Sequence, residues 1–155
     1  MTPDDSQEPV PGAVDAGPVD EAAVDRALVV ALDELIDAVQ EIKQAVWVTS
    51  DVEQHRTLEA LQAFLVEQVS DVAAAEARID GRSPFLVSPS GRHPANLAAR
   101  AGGDHLVMLE LLHADLEALS ADVRRQAGRI AGRQEAELLT RLADGLDEHL
   151  AALRR

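Results

Sequence analysis

A chain of 155 residues with a formal charge of −14 is long enough for one domain with a full core, and too acidic to hold nucleic acid or an anionic membrane surface by charge. Its hydrophobic fraction of 46% is mostly Ala, Leu and Val, with 2% aromatics, a composition that favours helix over sheet. With no cysteine, disulfides, thiolate metal ligands and thiol nucleophiles are excluded.

Residues 1–19 read as an acidic, proline-broken tail, with Pro3, Pro9, Pro11 and Pro18 among Asp4, Asp5, Glu8 and Asp15. It carries no Lys or Arg, so it is not a DNA-gripping arm. It also lacks the basic and apolar regions of a signal peptide, and no run approaches the length of a membrane span. A cytoplasmic protein is expected, with neither membrane nor nucleic acid as partner.

A helical bundle is expected over 20–155. The first helix, 20–48, carries Leu28, Leu32, Leu35, Val39, Ile42 and Val46, spaced alternately by four and three along one face. Ser50 and Glu53 form a capping box, which predicts a second helix over 51–79 with its seam at Leu58, Leu61, Leu65, Gln68, Val72, Ala75 and Ile79. His55 lies on that face.

A connector dense in Gly, Pro and Ser follows over 80–103, with a short helix expected in PANLAARA and Phe85, Leu86 and Val87 expected to pin it to the bundle. A third helix, 104–127, starts at the cap Asp104 and runs His105, Leu109, Leu112, Leu116, Leu119, Val123; a fourth, 133–154, carries Leu139, Leu142, Leu146, His149 and Leu153. A connector of that length exceeds a tight turn and can cross the bundle, so the all-α fold expected is a ferritin-like four-helix bundle with one long crossover between the second and third helices. That topology puts His55, His105 and His149 at one end, close to Trp47, where imidazoles and neighbouring carboxylates such as Glu59 could hold a transition metal. His113, three residues after Glu110, adds a single Glu-x-x-His. Arg124, Arg125, Arg129 and Arg133 form a basic cluster near the last turn, expected to complement helix C-termini. No nucleophile–base arrangement, phosphate loop or dinucleotide motif is visible.

The segment KQAVWVTSD resembles the end of the first helix in the Dps-like miniferritins of the ferritin-like superfamily. HRTLEALQAFL is similar to the start of their second helix, ARIDGRSP to its end and the following connector, and AELLTRLADGLDEHLAALRR to the final helix with its late histidine. The resemblance covers residues 25 to 155. It implies a homo-oligomer, a shell of about a dozen subunits, that oxidises Fe(II) with peroxide at sites between subunits and stores the iron. The family's ligands are a His before the Trp, a His twelve residues later, an Asp four further on, and an Asp and Glu four apart on the second helix. Here those first three positions hold Val46, Leu58 and Gln62. His55 is the nearest imidazole, one turn early. Glu67 and Asp71 have the spacing of the last pair in reversed order; Asp71 and Glu76 have its identities at a different spacing.

The candidate metal residues are therefore His55, Glu59, Glu67, Asp71, His105 and His149, with iron as the implied metal and Trp47 as a packing or subunit-contact residue. The functional expectation is a divergent Dps-like oligomer, engaged in iron handling or stress protection, whose usual ferroxidase site is reduced or lost. The alternatives are a non-catalytic helical interaction protein and a hemerythrin-like metal bundle built on His55, His105, His113 and His149.

Overall fold

The computed structural model describes residues 19–81 and 97–155. The expectations for the tail and for Phe85, Leu86 and Val87 lie outside the described residues. Among the described residues there are five helices and no strand: α1 (Glu21–Val48), α2 (Val52–Asp80), α3 (Leu97–Arg100), α4 (His105–Arg129) and α5 (Gln134–Leu153).

Each helix end has a local cause. Asp20, in extended backbone, opens α1 by accepting from the Ala22 N–H at 3.2 Å. Thr49 returns to extended backbone and closes α1, its hydroxyl donating to the Ala45 carbonyl at 2.6 Å. The expected Ser50 cap is corrected: Asp51 caps α2, and its carboxylate accepts from the Gln54 N–H at 2.8 Å. Asp51 immediately precedes the first helical residue, so its carboxylate reaches the third N–H of the helix, and an ionised acceptor binds that donor more strongly than a hydroxyl. Gly81 ends α2 in the left-handed region (φ 68°), donating back to Ala77 at 2.9 Å, a conformation that a Cβ would penalise. Asp104 caps α4 by accepting from both Leu106 and Val107, at 2.9 and 3.2 Å. By contrast, α5 begins after Arg133 with no side-chain cap.

The four long helices pack as a ring: α1 against α2 and α4, and α5 against α2 and α4. Their directions follow from contacts between ends. The Ala98 N–H, just before α4, donates to Gln44 near the end of α1 at 3.4 Å, and His105 at the start of α4 meets Gln54 at the start of α2, 3.2 Å apart. At the other end, Arg133 before α5 donates to the Val19 carbonyl before α1, at 3.3 Å. Every neighbouring pair is thus antiparallel, while α2 and α4, diagonal to each other, run the same way. Gly81 and Leu97 therefore stand towards opposite ends of the bundle. An α2 of 29 residues is about 44 Å long, and the sixteen steps from Gly81 to Leu97 can cover about 53 Å.

The core is the meeting of the four seams. Leu28, Leu35, Ile42, Leu58, Leu61, Leu65, Leu112, Leu116, Leu139 and Leu142 are fully buried. Each contributes about 1.5–3 kcal/mol relative to exposure. Phe64 of α2 packs its ring on His149 of α5, centroids 4.8 Å apart, and fills the space above Gly145. Among the described residues, no helix is long and apolar enough to cross a membrane.

Candidate functional site

Both α2 and α4 start at the end of the bundle where α1 and α5 finish. His55 and His105 therefore share that end with His149, one turn from the end of α5. The three imidazoles turn to different partners. His55 Nε2 pairs with Glu59 Oε1 at 3.2 Å, one helical turn on, with both side chains substantially exposed. His105 Nε2 meets Gln54 Oε1 at 3.2 Å, and its buried Nδ1 has no hydrogen-bond partner among the described residues. His149 lies against the Phe64 ring. His113 accepts from Arg154 Nε at 2.8 Å, and Arg154 also reaches Glu117, which ties the end of α5 to α4.

Glu67 and Asp71 are both exposed on α2, whereas Glu76 is buried. Leu58 is completely buried in the core and Val46 is half-buried against it. Among the described residues, no group of three or more His, Asp or Glu side chains is placed to hold a metal ion.

Among the described residues, Trp47 does not pack into the core. It is 90% exposed, with Val48 and Val52 beside it at 52% and 63%. The reason is its register: Ile42, Ala45 and Thr49 take the inward positions of the last turn of α1, leaving Trp47 to point away.

A second cluster was not anticipated. On α1, Glu34, Asp37 and Glu41 recur at helical spacing and line a shallow cleft of about 170 Å³ against Asp115 and Asp122 of α4. Arg100 of α3 bridges it, 2.7 Å from Asp115 and 3.8 Å from Glu41. Burial, then the charge and hydrogen bond of Asp115, push the Glu41 carboxyl up to about 7, against the opposing pull of Arg100. Glu41 thus keeps its proton close to neutral pH, beside Asp115 and the Arg100 guanidinium. Carboxylates repeating at three and four residues beside an apolar seam are the signal that sequence reading could have used.

The basic residues at the other end are largely committed, and not as helix C-terminus partners alone. Arg124 pairs with Asp144 and Asp147, Arg125 with Asp122, and Arg129 with Gln126. For Asp147, burial acts to raise the carboxyl, but the hydrogen bonds from Ser120 and Arg124 outweigh it and hold the group below the usual carboxylate range. Between the end of α4 and the start of α5 lies a larger groove of about 990 Å³, whose lining includes Ala127, Gly128, Ala131 and Gly132 together with Arg133 and Arg141.

No family model matches this chain, and no curated protein matches it either.

Proposed function

We propose that this protein is a divergent ferritin-like bundle, similar to the Dps-like miniferritins, that works as a homo-oligomer of about a dozen subunits and handles iron weakly or at a relocated site. The observation carrying the proposal is the path of the chain: two antiparallel hairpins joined so that the second and third long helices run in the same direction. A simple up-and-down bundle uses short loops throughout; one long crossover is the ferritin-like arrangement. A reduced ferroxidase centre is supported by Leu58, fully buried in the core at a position the resemblance assigns to a ligand. An aliphatic side chain offers Fe(II) no donor atom. His55 and Glu59 supply the nearest paired donors, 3.2 Å apart and on the surface.

Light scattering on a sizing column tests the assembly. A species of about a dozen chains supports the proposal, and a monomer at all concentrations overturns it. Fe(II) oxidation with peroxide tests the chemistry. Slow turnover that falls further in His55→Ala supports a relocated site. Absence of turnover in an intact oligomer favours the non-catalytic interaction protein, a role to which the uncovered Trp47 also speaks.

A further inference from the structure

We propose that Trp47 of one chain seats in the groove between α4 and α5 of a second copy, a head-to-tail contact between unlike surfaces. The inference rests on the homo-oligomer proposed above and names the two faces that meet. One face is a projecting knob: Trp47, 90% exposed, flanked by Val48 and Val52. The other is a recess of about 990 Å³, with small residues along its floor. At Gly128 and Gly132 an added Cβ would meet nothing within 4 Å, so the space above them is open.

Charge selects the pairing. Arg124 and Arg125 are paired with Asp144, Asp147 and Asp122, and Arg133 lies 3.7 Å from Glu135, which leaves Arg141 as the lining arginine with no ion pair among the described residues. The turn that carries Trp47 holds Asp51 and Glu53, both exposed. A contact of two Trp47 knobs across a twofold axis would set those carboxylates against their own copies. The groove instead offers them Arg141, whose guanidinium also suits the face of an indole. Its one lining carboxylate, Glu137, has a counterpart in Lys43, one turn before Trp47.

Knob and groove lie at opposite ends of the bundle, with α1, about 42 Å long, between them. Trp47 cannot reach the groove of its own chain, and each contact leaves one knob and one groove free, so the assembly closes into a ring or grows.

Two kinds of variant test it, both altering exposed residues: Trp47→Ala, which removes the knob, and Ala131→Glu with Arg141→Glu, which spoils the groove. Sizing with light scattering gives the mass. Because Trp47 is the single tryptophan, its emission maximum reports whether that residue is covered. The wild type should assemble with blue-shifted emission, and each variant should associate at least tenfold more weakly. An equimolar mixture of the two variants should recover a dimer, because one intact knob then meets one intact groove.

A mixture that stays monomeric overturns the contact, as do variants that assemble like the wild type. Emission already blue-shifted in dilute monomer also overturns it, since the chain itself would then cover Trp47. A wild type that assembles alongside unaffected variants removes only this contact. A wild type that never assembles removes the oligomer as well.

Discussion

Glu41 is set apart from a solvated glutamate by burial and by the neighbouring Asp115. Its carboxyl ionises near pH 7 in the folded chain, against an ordinary value of 4.5. The folded state therefore holds a proton that the unfolded state has already released. The stabilisation is complete below pH 4.5, declines as pH rises, and is gone above about 7, worth about 3 kcal/mol at most. The midpoint of thermal unfolding should accordingly fall between pH 5.5 and pH 8, and Glu41→Gln should flatten that fall and exceed the wild type at the upper end. Parallel profiles for the two proteins would remove Glu41 as the cause. Nothing in the residue itself announces this. A glutamate one position before a seam isoleucine reads as a solvated neighbour until Asp115, 74 positions later, is known to face it. The same blindness applies to the histidines. Their shared end follows from the order of the helices, but the partners they turn to depend on rotamers that spacing does not encode.

For single elements, periodicity was a good guide. Seams at three and four residues are visible in any amphipathic helix, and the buried faces of α1, α4 and α5 follow them closely. Ends were less legible, because several polar residues compete to cap. Ser50 and Asp51 are both credible, and backbone geometry at the turn decides between them. Asp104, which accepts two backbone N–H groups, had no such rival. Asp104→Ala should lower the unfolding free energy by about 1 kcal/mol, seen as a lower urea midpoint with an unchanged slope. Between α2 and α5, Gly145 is more telling. In a helix, Gly→Ala ordinarily gains about 1 kcal/mol. Here the new Cβ would stand 2.7 Å from the Phe64 Cζ, and that ring is held against His149. Gly145→Ala should therefore destabilise by about 1–2 kcal/mol. In a Phe64→Leu background, which removes the ring, the same change should become neutral or favourable. A stabilising Gly145→Ala in the wild type would mean that the ring swings aside freely.

At the scale of the whole molecule, connector length carried the most information. A segment too long for a turn pointed to a crossing, and the contacts at both ends of the bundle agree that α2 and α4 run in parallel. How copies of the chain meet was beyond reach, since the register that turns Trp47 outward does not say which surface would cover it. The excess of acid has its own consequence. With a formal charge of −14 the folded chain repels itself, and added salt screens that repulsion over about 10 Å at 0.1 M. Thermal stability should rise between roughly 0.02 and 0.2 M sodium chloride. A fall would show that local pairs such as Arg124 with Asp144 and Asp147 outweigh the long-range field.

The crossing chain also sets an order of events during synthesis. Once residue 80 has emerged from the ribosome, α1 and α2 can close on each other through a turn of a few residues. Their remaining flanks, however, are owed to α4 and α5, which come later. Until then Leu28, Leu35, Leu61 and Leu65 belong to half a core, with water on one side. The nascent protein is therefore most vulnerable midway through translation, and the speed at which its second hairpin is delivered governs how long that vulnerability lasts.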